Sequence, residues 1–196
     1  MNNNQPNWNE YFKNTIDNPP SSLLVEAIDY ITHRNKAIDI GGGALRDTRY
    51  LLSKGFETTV IDQAEEVAKI AETIHSEKLY CYITSFTDYV FPVNTFDIAA
   101  ALYSLPFIFN KDFEKVFTNI KKSLVLDGIF VGNFFGEHDA WNNRATMTFH
   151  TKKQVENLFS DFTIVLFEER EYDGKTADGR PKHWHVFNVI ARKISL

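Results

Sequence analysis

Five short apolar runs alternating with stretches of helical periodicity constrain this chain more than any other feature. The runs are Lys36–Ile40, Thr58–Ile61, Leu79–Ile83, Phe96–Leu102 and Gly128–Phe134. Each is brief and almost uninterrupted, as parallel strands covered on both faces are. Helical patterns lie between them near Asp47–Lys54, Ala64–Ser76 and Lys111–Leu124, and an earlier one runs over Leu23–His33 behind the capping segment Asn18-Pro19-Pro20-Ser21-Ser22. Such alternation predicts right-handed crossovers and a doubly wound α/β sheet.

The last third reads differently. Thr151-Lys152-Lys153-Gln154 has the form of a capping box ahead of a helix over Lys152–Phe159. Two long strand candidates follow, Phe162–Glu171 and His183–Arg192, with no helix between them, so they are expected to pair antiparallel. The expectation is a single domain over 1–196 with seven strands, six parallel and the final one antiparallel. Within it, 1–34 is an N-terminal lid and helix, 35–135 a cofactor-binding core, and 136–196 a substrate-side loop, helix and hairpin.

With 196 residues, 43% of them hydrophobic, the chain can bury about 70% of its unfolded surface without staples. The one cysteine, Cys81, has no partner for an internal disulfide and reads as a buried strand thiol. The polar start Met1-Asn2-Asn3-Asn4-Gln5 lacks the apolar core of a signal peptide, and no run is long enough to span a membrane. A cytoplasmic location follows as the default. The net charge of −5, with scattered basic residues, disfavours nucleic acid and leaves a small molecule as the expected partner. The sequence is silent on oligomeric state.

The strongest local signal is Asp39-Ile40-Gly41-Gly42-Gly43 at the first strand-to-helix turn. Glycines there permit positive φ and close approach of a ligand to the backbone. Asp62 closes the next strand, placed to accept hydrogen bonds from both ribose hydroxyls of an adenosine cofactor. A nicotinamide or flavin loop would want a small residue where Arg46 stands, and no Gly-Lys-Ser/Thr follows to make a phosphate loop. Asp39 would repel a pyrophosphate but suits an ammonium group. A methyl donor with an adenosine at one end and an amino-acid tail at the other meets both demands.

From the first strand through the hairpin the sequence resembles the class I S-adenosylmethionine-dependent methyltransferases. Asp39–Gly43 looks like their first motif, Asp62 like the acid closing their second strand, Phe96–Leu105 like the fourth strand beside the methyl group, and Leu126–Phe130 like the turn into strand five. Arg46, Thr148-Phe149 and Val189–Lys193 make it similar in look to the small tellurite-resistance type. The resemblance implies S-adenosylmethionine as cofactor, with Asp39, Gly41, Gly42, Gly43, Arg46, Asp62, Gln63, Ser85, Phe86 and Ala101 around it and Tyr11 in a lid formed by Trp8-Asn9-Glu10-Tyr11-Phe12. Ser85 stands where the family carries an adenine-binding acid, and Phe86 is placed to stack on the ring.

On the acceptor side, Tyr103 follows strand four and Gly136–Arg144 follows strand five with an unusual density of His, Trp and Arg for a loop. Tyr103, His138 and His183 are the candidate catalytic groups, and Trp141, Arg144 and His185 the candidate substrate contacts. Alternation puts His183 and His185 on one strand face. No third ligand stands at a convincing spacing from them, so no metal is expected. Two other readings remain: a nicotinamide-dependent oxidoreductase, and a cofactor-binding module without catalysis.

Overall fold

The computed structural model describes residues 8–195; residues 1–7, Leu196 and the side chains of Trp8 and Asn9 lie outside the description. Its centre is one sheet in the order β3-β2-β1-β4-β5-β8-β7. The strands are β1 (Lys36–Ile40), β2 (Glu57–Asp62), β3 (Leu79–Ile83), β4 (Phe96–Ala101), β5 (Leu124–Gly136), β6 (Phe149–His150), β7 (Phe162–Lys175) and β8 (Pro181–Lys193). The helices are α1 (Trp8–Thr15), α2 (Ser22–Ala27), α3 (Arg46–Ser53), α4 (Glu65–Glu72), α5 (Asn110–Ser123) and α6 (Lys152–Leu158).

β1 pairs in parallel with β2 and β4, and β4 in parallel with β5. β8 runs antiparallel to both β5 and β7, so it alone opposes the other long strands. The doubly wound sheet closed by a hairpin is the architecture expected. The reversal between β1 and β4 creates a switch point, and the crevice beyond the carboxyl ends of these strands is where ligands bind in such sheets.

Differences are local. α2 ends at Ala27 in a tighter turn over Ile28–Tyr30, and Ser21 caps it with no side-chain bond; its N–H instead goes to Asp47 Oδ1 at 2.7 Å. α4 stops at Glu72. β5 starts directly after α5, and the Asp127-Gly128 turn is an irregularity inside the strand, with Asp127 at φ +63° and the β4–β5 register shifting between Phe96 and Ile98. The hairpin strands run on until only Thr176–Arg180 is left as a turn, which Thr176 ties through hydrogen bonds involving Asp178 and Arg180. The short β6 was not expected; it pairs with the end of β5. The capping box at Thr151 and Gln154 is present in both directions.

The layer of helix α5 and the hairpin encloses an aromatic core in which Phe113, Phe117, Phe130, Phe134 and Phe159 pack ring on ring. A second cluster on the other face joins α2 to β1, β4 and β5 through Leu24, Ala27, Ile98 and Ile129. The expectation of two covered faces fails at β3. This edge strand leaves Tyr80 and Tyr82 exposed, and Cys81 is half-buried with a thiol pKa raised by burial. Among the described residues no helix is long and apolar enough to cross a membrane.

Candidate active site

The loop after β1 bends back at Gly41, whose N–H donates to Ile61 O at 2.8 Å and whose φ is +78°. That φ is ruinous for most side chains, and a Cβ here would also lie 2.5 Å from Ser104 Cβ. Gly42 turns the other way: a Cβ there would meet Val60 Cγ2 at 2.3 Å, so its lack of a side chain lets the loop pack on β2. Gly43 (φ +52°) faces Tyr11, whose ring would lie 3.1 Å from a Cβ. α1 thus rests on the loop, with Phe12 buried among Ala44, Leu45, Val60 and Val67. Arg46 starts α3 and sits 3.4 Å from Asp47.

Asp62 is fastened at the end of β2. Its Oδ2 accepts the Gly43 N–H at 3.0 Å and its Oδ1 the Ala64 N–H at 2.9 Å. A carboxylate offers about four acceptor positions, so one on each oxygen remains for a ligand donor. Gln63 is exposed beside it. Asp39 is buried beneath the loop and accepts the Thr48 hydroxyl at 2.5 Å, joining β1 to α3. Burial first, then the neighbouring Asp47, pushes its pKa up to about 7.

The third side of the cleft comes from the turns after β3 and β4. Phe86 reaches the loop, its Cζ 3.2 Å from where a Gly41 Cβ would be. Ser85 Oγ donates to Asp88 Oδ2 at 2.7 Å. The acid missing at position 85 is therefore present one turn later, within hydrogen-bond reach of Ser85. Ala101 is corrected: it is wholly buried in the sheet core, because β4 is central and has no free face. What arrives at the cleft instead is Ser104, only 6% exposed, whose Oγ has no hydrogen-bond partner among the described residues. A buried orphan hydroxyl against Gly41, the open positions on Asp62 and the exposed adenine-side turn fit a polar, adenosine-containing ligand.

Beyond the cleft stands a wall of rings. Tyr103 (φ +56°) takes a backbone hydrogen bond from its N–H to Asn133 Oδ1 at 3.1 Å, and its ring lies 6.0 Å from Trp184 and 6.2 Å from Phe135. Trp141 is 5.9 Å from Trp184, and the Arg144 guanidinium stacks 4.2 Å over Trp141. Among the described residues no carboxylate pairs with Arg144. It borders a cavity of about 310 Å³ with Asn110, Asn142, Asn143 and Phe149. Behind the wall, Lys182 Nζ is held 2.5 Å from Asp139 Oδ2. Burial pushes the lysine pKa down to about 8. Burial, followed by the charge of Tyr172 and the hydrogen bond with it, pushes Tyr103 up to about 12.

The histidines are elsewhere. Tyr172 and Trp184 are cross-strand partners on the face of Tyr103, whereas His183 opposes Asp173 and His185 opposes Glu171 on the other face. His183 Nδ1 is 2.8 Å from Asp173, His138 Nδ1 is 3.2 Å from Glu171 Oε2, and the His138 and His185 rings stack at 4.8 Å. Strand alternation thus separates His138, His183 and His185 from Tyr103, a correction to their grouping as catalytic and substrate residues. Asp88, Ser104, Asp139 and Lys182 were missed. Only Asp88 left a sequence signal, as an acid three residues after the expected position.

A doubly wound sheet with this strand order, an acid-closed glycine loop at its switch point and a terminal hairpin is the fold of the S-adenosylmethionine-dependent methyltransferases. Residues 38–132, from β1 into β5, match the family described as "Methyltransferase domain". Similar solved structures include TehB from Haemophilus influenzae, at 15% identity over 87% of this chain and 61% of that one, with a TM-score of 0.72. An S-adenosylmethionine-dependent methyltransferase from Methanosarcina mazei shares 19% identity over 86% of this chain and 97% of its own, with a TM-score of 0.67. The 1,6-didemethyltoxoflavin N1-methyltransferase of Burkholderia thailandensis, solved with its substrate and S-adenosylhomocysteine, shares 21% identity over 89% and 79%, with a TM-score of 0.64. No curated protein sequence matches the chain.

Proposed function

We propose that this protein transfers a methyl group from S-adenosylmethionine to a small-molecule acceptor by in-line displacement, in the cytoplasm. The observation that carries the reading is Asp62, pinned by the Gly43 and Ala64 amides at the edge of the glycine loop with acceptor positions to spare. Asp62 and Gln63 would hold the ribose, the Ser85–Asp88 turn and Phe86 the adenine, and Asp39 with Gly41 and Gly43 the amino-acid tail. Tyr11 and Arg46 would cover that tail from the α1 side.

The bound donor supplies an electrophilic methyl group on a sulfonium sulfur. The chain's own part is to align and to exclude water. Tyr103, the exposed ring of the wall, would offer its face to a cation, and Trp141 and Trp184 behind it would give the acceptor a dry approach. Tyr103 keeps its proton at neutral pH, so it donates a hydrogen bond and does not act as base. With His138 and His183 on the far face of the hairpin, no histidine among the described residues stands beside Tyr103 as a general base. Acceptors that carry a free lone pair near neutrality, such as amines and thiolates, suit this arrangement best. Arg144 and the amides beside it would hold the acceptor's polar end.

The test is formation of S-adenosylhomocysteine with amines, thiols, phenols and metalloid oxyanions in turn. Turnover confined to phenols or alcohols would contradict a base-free site, and no turnover with tight S-adenosylmethionine binding would leave a cofactor-binding module as the better description.

A further inference from the structure

The side chains that leave the catalytic face form a second constellation. One ligand atom from each of His138, Glu171 and His185 lies within 4.8 Å of the other two. The three come from separate segments: the loop after β5, β7 and β8. The sequence pairs His185 with His183 and shows no third ligand; His138 and Glu171 reach His185 only in the fold, Glu171 through the β7–β8 register that sets it opposite His185. We propose that His138, Glu171 and His185 form a binding site for a divalent transition metal of the zinc type, which clasps the acceptor-side loop to the hairpin.

Two imidazoles and one carboxylate select zinc, cobalt or nickel over magnesium or calcium, which prefer all-oxygen sites. The surroundings support ligation at His185 in particular. Glu169 Oε1 lies 3.2 Å from His185 Nε2, so a proton on that nitrogen has a carboxylate to receive it and Nδ1 keeps its electron pair. A carboxylate behind a ligating imidazole fixes its tautomer and raises its basicity. The His138 N–H points at Nδ1 from 3.2 Å and gives way to the metal, a long hydrogen bond exchanged for a metal–imidazole bond. Gly136 is the structural condition for this ring: a Cβ there would lie 2.1 Å from His185 Nδ1. Lys152 is 3.3 Å from Glu169 Oε2 and does not reach Glu171; the basic neighbour of Glu171 outside the site is His183, whose Nε2 lies 3.1 Å from Oε1, while Oε2 faces His138 Nδ1 at 3.2 Å. His138 and Glu171 are exposed, so the metal keeps open positions for water.

The site stands apart from the proposed methyl transfer and is tested without activity. The full-length chain, free of any affinity tag and stripped with chelator, is titrated with zinc by calorimetry at about pH 7.5, and cobalt(II) is followed by its visible absorption. Saturable binding of a single zinc is expected, with cobalt bands of a low-coordinate nitrogen–oxygen site. Both His138→Ala and Glu171→Gln, exposed positions whose loss spares the fold, should weaken zinc by at least about tenfold. Absence of saturable binding, or binding that survives both substitutions unchanged, would overturn the proposal. A magnesium or calcium response equal to that of zinc would overturn it as well.

Discussion

Lys182 Nζ lies 2.5 Å from Asp139 Oδ2 and 3.4 Å from the centre of the Trp184 ring, with Trp141 and Phe135 closing around it at 4.4 and 4.6 Å. Asp139 also accepts the Trp141 N–H at 3.0 Å, so one buried ion pair sets both tryptophans of the acceptor wall. Removing a single partner strands the other charge in an apolar box. Lys182→Met should destabilise the protein by about 3–5 kcal/mol, read from denaturant midpoints. The double change with Asp139→Asn should cost clearly less than the sum of the two single changes, and simple additivity would show that the pair is not coupled.

Asp39 gives a pH dependence with a definite sign. Its folded pKa, raised to about 7, means the fold prefers the protonated carboxyl. The stability this group contributes is whole below its unfolded value and is lost as pH rises through about 7. Asp39→Asn should therefore make the ligand-free protein more stable at about pH 8, by roughly 1–3 kcal/mol. The same change should weaken S-adenosylhomocysteine, whose ammonium needs the ionised acid. In the unmodified protein that affinity should rise between about pH 6 and pH 8 as Asp39 ionises. A flat profile in calorimetry would remove Asp39 from the tail site.

Gly41→Ala meets two costs, a φ of +78° and a contact of 2.5 Å with Ser104 Cβ. A loss of about 2–4 kcal/mol in thermal or chemical unfolding is expected. Gly55→Ala, at φ +96° but with open space around it, is the control for backbone strain alone and should cost about 1 kcal/mol. Equal losses at the two positions would mean that Ser104 yields and the loop is not tightly closed.

Tyr103→Phe separates a wall from a base. Loss of a hydrogen-bond donor should lower kcat by less than about tenfold and leave the shape of the pH–rate profile unchanged. A fall of about a hundredfold or more, with loss of a limb of the profile, would make Tyr103 a proton-transfer group.

The fold was legible because it is written in local periodicity. The runs at Lys36–Ile40 and Leu79–Ile83 are strands to the residue, and the Thr151 box caps its helix as read. The geometry of the candidate cofactor side was legible for the same reason: Asp39, the glycines and Asp62 sit at fixed offsets on consecutive elements. The acceptor side was not. Whether His183 or Trp184 faces Tyr103 depends on the register of β8 against β5 and β7, and that is set by the whole hairpin. Lys182 reads in sequence as a solvated charge, and only the closure of Trp141, Trp184 and Phe135 around it makes it internal. Ser104 was invisible because its one distinction, a buried hydroxyl without a partner, exists only in three dimensions.

The central claim is that Asp62 and the glycine loop hold an adenosine-bearing methyl donor. Its most direct test is calorimetric titration of S-adenosylhomocysteine and of NAD into the unmodified protein and into Asp62→Ala. Single-site binding of the thioether, weakened by about 1–3 kcal/mol in the variant, with no comparable response to NAD, is the expected result. NAD binding without a response to S-adenosylhomocysteine, or an affinity untouched by the loss of Asp62, would contradict it.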